Sequence, residues 1–353
     1  MSNHHPFLVR VALLLNCSAG AMVSGCTEPT AISDASRNQT LGGEPATISA
    51  ATRLSIDGDR FRINGALTHP GQPAAGRLMN VRMVNSVFED TGRPSFNSSA
   101  NTDEFVGRMR EYVGLGVRAF TISLQGGYPG YEGARNSAFL KNGDLKPDYL
   151  ARVAQVIERA DALGAAVILS LYYQRQDQAL QDDEAIRSGL INVVDWVKRK
   201  GYRNVILEPA NEYGHSGFDH AILRSDAGVA GLLRLAKSRY PALPVAASYL
   251  RNGQTTPQVA AASDLILTHF NSVAVSDIAA RVKALRSSYP GKPIVCNEDA
   301  KIGQAAAAAA TASVQAGASY GLMLERQNQF YPFNFEGRRD DPVAYDRYVA
   351  LTR

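Results

Sequence analysis

A (β/α)8 barrel preceded by a short β-hairpin is the fold this chain predicts, on two observations. Short apolar runs alternate with amphipathic helical stretches eight times from residue 78 onward, and no glycine-rich phosphate turn follows the first run. Strands alternating with helices make parallel β/α units, and eight such units close into a barrel. An open doubly wound sheet would show a glycine-rich turn after its first strand. Here that strand leads instead into Asn85-Ser86-Val87-Phe88-Glu89-Asp90.

The N-terminal elements come first. Arg10 precedes an apolar stretch, Val11-Ala12-Leu13-Leu14-Leu15, that runs through small residues to Val23-Ser24-Gly25-Cys26. It is too short to span a bilayer as a mature helix and reads as a signal segment, 1–25. Val23-Ser24-Gly25-Cys26 resembles the bacterial lipobox, which implies lipidation at Cys26. Thr27 follows where an Asp would signal inner-membrane retention. The expected setting is extracytoplasmic, anchored to a bacterial membrane. Residues 26–50 are rich in Ser, Thr, Ala, Gly and Pro and bury too little apolar surface to order themselves, so they are expected to be a linker.

The remaining residues, 51–353, fit one catalytic domain, because a barrel takes roughly 250 residues. Alternation around Asp57-Gly58 predicts the hairpin, placed to cap the bottom of the barrel. Strands are expected at 78–83, 118–124, 165–171, 204–208, 244–249, 264–269, 293–297 and 320–324. Helices are expected near 102–114, 147–163, 184–200, 223–239, 255–262, 275–288, 303–316 and 342–352. The alanine run 305–310 favours helix. Trp196, the single tryptophan, falls at helical spacing among valines and is expected in the core.

Charge excludes one class of partner. The chain carries 37 basic and 33 acidic residues, scattered without a basic stripe, so nucleic-acid binding is not expected. The cysteines, Cys17, Cys26 and Cys296, suit neither a zinc site nor a disulfide framework. Cys296 sits in an apolar strand and reads as a small core residue. No metal or organic cofactor is expected, and the chain is expected to be a monomer.

Active sites of such barrels lie at the C-terminal strand ends. Strand 4 ends in Asn211-Glu212-Tyr213, strand 7 in Asn297-Glu298-Asp299, strand 6 in His269-Phe270-Asn271, strand 3 in Tyr172-Tyr173-Gln174-Arg175, and strand 8 in Glu325-Arg326-Gln327-Asn328. Carboxylates on strands 4 and 7 would face each other across the mouth. Glycosidic cleavage needs that pair, one to protonate the leaving oxygen and one to attack or to activate water. Their two roles need different proton affinities.

Strand 4 ending in Asn-Glu and strand 7 ending in Glu resembles the clan-A glycoside hydrolases, including the cellulase-like family 5. The resemblance implies Glu212 as acid/base, Asn211 as the contact to the sugar 2-hydroxyl and Glu298 as nucleophile of a retaining mechanism. His269-Phe270 is similar to the His-Tyr pair that often ends strand 6 there. The chain departs from the pattern at Tyr213, where Pro is usual, and at Asp299-Ala300, where Phe-Gly is usual. It departs again at Leu324-Glu325-Arg326, where a Trp platform is common. This marks a divergent branch, and substrate identity does not carry over.

The substrate expected is an oligo- or polysaccharide. Sugar faces stack on aromatic rings, and with no tryptophan in the loops the tyrosines Tyr172, Tyr173, Tyr213 and Tyr249 are the candidates, beside Tyr128 and Tyr131 in the loop after strand 2. Arg82 is a candidate to keep the nucleophile ionised. Asn297 and Gln327 are candidate hydroxyl contacts. Glu208 is expected to support the site by binding Arg82 or Arg118. Glu212 and His215 form a Glu-x-x-His, but it follows a strand and not the helix such a metal pair requires. The alternative reading is a noncatalytic glycan-binding barrel at the cell surface.

Overall fold

The computed structural model describes residues 51–250 and 252–353. The signal segment, Cys26 and the linker to residue 50 lie outside the described residues.

Strands β1 (Leu54–Asp57) and β2 (Arg60–Ile63) pair antiparallel about Gly58, whose φ of 58° a two-residue turn of this kind requires. A short β3 (Ala66–Leu67) adds to β2. Leu54 and Phe61 pack with Leu78, Ala119, Ala166, Ile206, Ala246, Leu265 and Val295, so the hairpin plugs the N-terminal end of the barrel as expected.

The barrel strands run parallel in chain order: β4 (Asn80–Arg82), β5 (Ala119–Ser123), β6 (Ala166–Tyr172) and β7 (Val205–Ala210), then β8 (Ile266–His269), β9 (Ile294–Glu298) and β10 (Gly321–Leu322). β10 pairs back onto β4, and Ser319 N–H donates to Ile294 O, which closes the ring on that side. The fifth strand position, 244–249, is not a continuous strand. Leu207 N–H donates to Pro244 O and Ala246 N–H to Leu207 O, but the next donor on β7 would be Pro209, which has no N–H. Contact resumes only at Tyr213 N–H to Ser248 O, 3.0 Å.

Helices α1 (Ser98–Gly114), α2 (Pro147–Ala162), α3 (Asp183–Lys200), α4 (Ala221–Arg224), α5 (Asp226–Arg239), α6 (Pro257–Ala262), α7 (Val275–Ser288), α8 (Gly303–Ala316) and α9 (Pro342–Thr352) surround the strands. Local chemistry sets their ends. Asn97 accepts from Ala100 N–H and starts α1 earlier than apolar periodicity indicated, because a capping side chain needs no apolar residue. Asp182 caps α3, and Gly201 at φ 70° ends it. Ser225 accepts from Gly228 N–H and splits the expected 223–239 helix into α4 and α5. Trp196 and Cys296 are both buried in the core.

Alternation along the strands divides the interior into two layers. The lower one is apolar, the cluster beneath the hairpin. Above it the inward positions carry Arg82, Thr121, Ser123, Ser170, Glu208, Ser248, His269 and Asn297, all buried. A polar layer inside a barrel is expensive unless its groups pair or do chemistry. It marks the C-terminal end as the functional one.

Candidate active site

Strands β7 and β9 each end in a carboxylate, and both turn into the mouth. Glu212 and Glu298 are 2 % and 7 % exposed, so both carboxylates are buried and not set in an open cleft. One carboxylate oxygen of each, with a ring nitrogen of His269, lies within 4.8 Å of the other two. His269 Nδ1 stands between them, 3.1 Å from Glu212 Oε1 and 3.6 Å from Glu298 Oε2.

Each carboxylate has its own holders. Arg82 Nε lies 2.9 Å from Glu298 Oε2, a close ion pair rather than an aligned hydrogen bond. Asn271 Nδ2 donates to Glu298 Oε1 at 2.5 Å, and Asn271 Oδ1 accepts from Ala300 N–H, which fixes the amide's orientation. Gln174 Nε2 donates to Glu212 Oε2 at 3.3 Å. Asn211 links the two halves: its Oδ1 accepts from Arg82 Nη2 at 2.9 Å, and its Nδ2 donates to Gln174 Oε1 at 3.3 Å. Burial alone would lower the His269 pKa, but Glu298 and Glu212 outweigh it and raise it. Burial, with Glu298 nearby, pushes the Tyr173 hydroxyl up to about 12.

Glu212 sits at φ 51°, in the left-handed region that a non-glycine residue rarely takes. Its own N–H donates to Ser248 Oγ at 3.1 Å, and its carbonyl accepts from His215 N–H. The chain continues parallel to the 244–249 segment on either side of this kink, and the side chain meets His269 and Gln174.

The structure brings together Glu212, Glu298, Asn211, His269 and Arg82. It does not bring Tyr172 to them. Strand alternation from Ala166, Ile168 and Ser170 aims Tyr172 inward, yet its ring packs on Phe139 and its hydroxyl donates to Ile186 O of α3 at 2.6 Å, outside the barrel. Ala210, its partner on β7, also joins the outer core. Both strands change face at their ends. Tyr173 is the tyrosine at the mouth, its hydroxyl accepting from Tyr128 N–H.

Tyr213 is fully buried, its hydroxyl among Thr255 and Thr256 and its ring 4.9 Å from that of the half-buried Tyr249. The two pack on each other, and the Tyr213 hydroxyl is held by Thr256. Asn297 points into the polar layer below Glu298 and is 0 % exposed, with no hydrogen-bond partner for its amide among the described residues. Gln327 lies in a π-helical turn, Glu325–Gln329, that stands where a tryptophan platform was missing from the sequence.

Glu208 binds neither Arg82 nor Arg118. Arg82 is taken by Glu298 and Asn211, and Arg118 Nη1 donates to the Val113 and Val117 carbonyls. Glu208 Oε1 instead accepts from Ser248 Oγ at 2.5 Å. His215 Nδ1 accepts from Gly217 N–H and does not pair with the Glu212 carboxylate. Asp299, next to Glu298, turns away to Lys301 Nζ (2.9 Å) and Tyr320 (3.0 Å).

Sequence reading did not single out Asn271, Gln174 and Ser248 as holders of the pair. Asn271 lies two residues beyond His269 and Ser248 two beyond the inward Ala246, so period-two counting reaches both. A hollow of about 340 Å³ is lined by Tyr128, Tyr131, Glu132, Tyr173, His215 and Gln174, which donates to Glu212. A hollow of about 570 Å³ between Arg53, Tyr202 and Asp264 lies at the opposite end of the barrel, away from the carboxylates.

No family model matches the sequence, and no curated protein matches it. Solved structures do match. A broad-specificity family 5 endoglucanase from Clostridium longisporum aligns at TM-score 0.54 and 12 % identity, over 78 % of this chain and 95 % of its own. The endo-1,4-β-mannanase of Rhizomucor miehei aligns at 0.55 and 11 %, over 85 % and 97 %. A family 5 glycoside hydrolase from Bacteroides vulgatus aligns at 0.57 and 13 %, over 84 % and 68 %. At such identities the likeness establishes architecture: this chain has the (β/α)8-barrel fold of the family 5 glycoside hydrolases.

Proposed function

We propose that the chain is a retaining glycoside hydrolase of an oligo- or polysaccharide. One observation carries this reading: carboxylate oxygens of Glu212 and Glu298 lie within 4.8 Å of each other at the C-terminal ends of β7 and β9. Retaining enzymes hold their carboxyl groups at roughly 5–5.5 Å, while inverting ones leave about 6.5–9.5 Å for a water. The similarity to an endoglucanase and a mannanase supports a β-linked glycan as the class to test first.

In this reading Glu298 attacks the anomeric carbon as the bond to the leaving oxygen breaks. Glu212 gives that oxygen its proton. Glu212, now a carboxylate, then takes a proton from the water that hydrolyses the glycosyl ester, which frees Glu298. Arg82 and Asn271 hold the two oxygens of Glu298, and Asn211 is fixed by Arg82 and Gln174 at the position that would meet a sugar hydroxyl. The setting proposed is outside the cytoplasm, tethered through a lipidated Cys26. Loss of fatty-acid labelling in Cys26→Ser checks the tether.

Aryl β-glucosides and β-mannosides test the activity. Glu298→Gln is expected to abolish turnover. Azide is expected to rescue Glu212→Ala, giving a glycosyl azide of retained configuration, and not to rescue Glu298→Gln. Undiminished turnover by Glu298→Gln defeats the assignment. Glycan binding without turnover by the wild type would favour the noncatalytic barrel. Two carboxylates and an imidazole are also a donor set for a divalent cation. Loss of activity with a chelator would point to metal-dependent hydrolysis.

A further inference from the structure

Ser248 touches both the polar layer and the turn that carries Glu212. Its Oγ donates to Glu208 Oε1 at 2.5 Å and accepts from Glu212 N–H at 3.1 Å. Its carbonyl accepts from Tyr213 N–H at 3.0 Å. All four residues are buried, Ser248, Glu208 and Tyr213 completely.

The direction of these bonds follows from proton counting. A serine hydroxyl has one proton and two lone pairs, and a backbone N–H can only donate. The Glu212 N–H therefore donates to a lone pair of Ser248 Oγ, and the Ser248 O–H donates to Glu208 Oε1. That N–H belongs to a residue at φ 51°, a left-handed conformation that strains a non-glycine residue. Such strain persists only where the surroundings hold it. Ser248 supplies two of the holding bonds, one to Glu212 and one to its neighbour, from a strand position whose own ladder Pro209 interrupts.

We propose that Ser248, oriented by Glu208, is the positioning residue of the acid/base: it locks the Glu212 backbone in the left-handed turn that aims its carboxyl at the leaving oxygen. The inference rests on the reading of Glu212 as the proton donor. A serine that merely closes the barrel would matter equally for every substrate. A serine that positions the acid matters only where the leaving group needs a proton.

The experiment compares kcat/KM for dinitrophenyl and phenyl β-glucosides and β-mannosides in the wild type, Ser248→Ala, Ser248→Thr and Ser248→Cys. Dinitrophenolate departs without protonation, whereas phenolate does not. Ser248→Ala is expected to stay near the wild type on the dinitrophenyl glycoside. On the phenyl glycoside it should fall at least about tenfold, a part of the 10²–10⁴ a positioned acid supplies. Its alkaline pH limb should also shift. Ser248→Thr, which keeps the hydroxyl, should restore the phenyl rate. Ser248→Cys keeps the volume but offers a weak acceptor, and should reproduce the alanine pattern even if Ser248→Ala folds poorly. Equal losses on both substrates, or no loss on either, in a variant that folds would overturn the inference while leaving the glycosidase reading intact. A wild type inert toward all four glycosides would remove the glycosidase reading, and the inference with it.

Discussion

Arg82 from the first barrel strand meets Glu298 from the seventh, Nε to Oε2 at 2.9 Å, with the arginine 2 % exposed. The same guanidinium reaches Asn211 through Nη2. One buried cation thus ties the proposed nucleophile to the proposed sugar contact, across the barrel.

Removing that cation leaves the buried Glu298 carboxylate to Asn271 and the more distant His269. Arg82→Met is expected to cost about 3–5 kcal/mol of stability and to abolish turnover. Arg82→Lys keeps the charge but cannot reach Glu298 and Asn211 together from a planar fork. It should retain most of the stability and lose about tenfold or more in kcat/KM. Denaturant unfolding beside steady-state kinetics separates the two. Wild-type kinetics in Arg82→Lys would show that the bridge to Asn211 is idle.

His269 makes the site sensitive to rising pH. Its folded pKa is raised above the ordinary 6.5, since the Glu298 and Glu212 carboxylates outweigh the opposing effect of burial. A raised folded value means stability that is fully present below the unfolded pKa and is lost as pH climbs through the folded one. The melting temperature should therefore decline as pH rises above 6.5, and the decline should be shallower in His269→Gln. Parallel curves for the two proteins would contradict the raised value.

His69 acts in the opposite direction. Burial first, then Arg118, lowers its pKa to about 4, and its φ is 47°. A depressed folded value means stability present above 6.5 and lost as pH falls through about 4. The loss amounts to about 3 kcal/mol when the window is crossed. His69→Asn tolerates the left-handed backbone and does not titrate, so its acid transition should lie at lower pH than that of the wild type. Urea unfolding at a series of pH values measures this.

The hollow lined by Tyr128 and Tyr131 is clasped on one side. Arg93 lies 4.2 Å from the Tyr131 ring centroid and 4.1 Å from that of Tyr331, while Tyr331 N–H donates to Pro129 O. The loop after β5 is thereby joined to the loop after β10, with the hollow of about 340 Å³ beside them. Arg93→Ala should cost about 1–2 kcal/mol from two stacked contacts. It should also raise hydrolysis of polymeric glycan relative to short aryl glycosides. An unchanged ratio would mean that the clasp does not limit access.

The sequence alone determined the architecture and the placing of a glutamate at each of two strand ends. Eight alternations of strand and helix are a local signal, carried by residue type and period, and so are the hairpin at Asp57-Gly58 and a glutamate at the end of β7 and of β9. What surrounds those acids was not local. Tyr172 obeyed strand parity in the sequence and broke it in space, because β6 and β7 turn outward together near Pro209. The partner of Glu208 was misread for the same reason: Ser248 lies 40 residues away on a strand whose ladder is interrupted. Only closing the barrel decides which side chains from different strands share one level of its interior, and so which group holds each carboxylate.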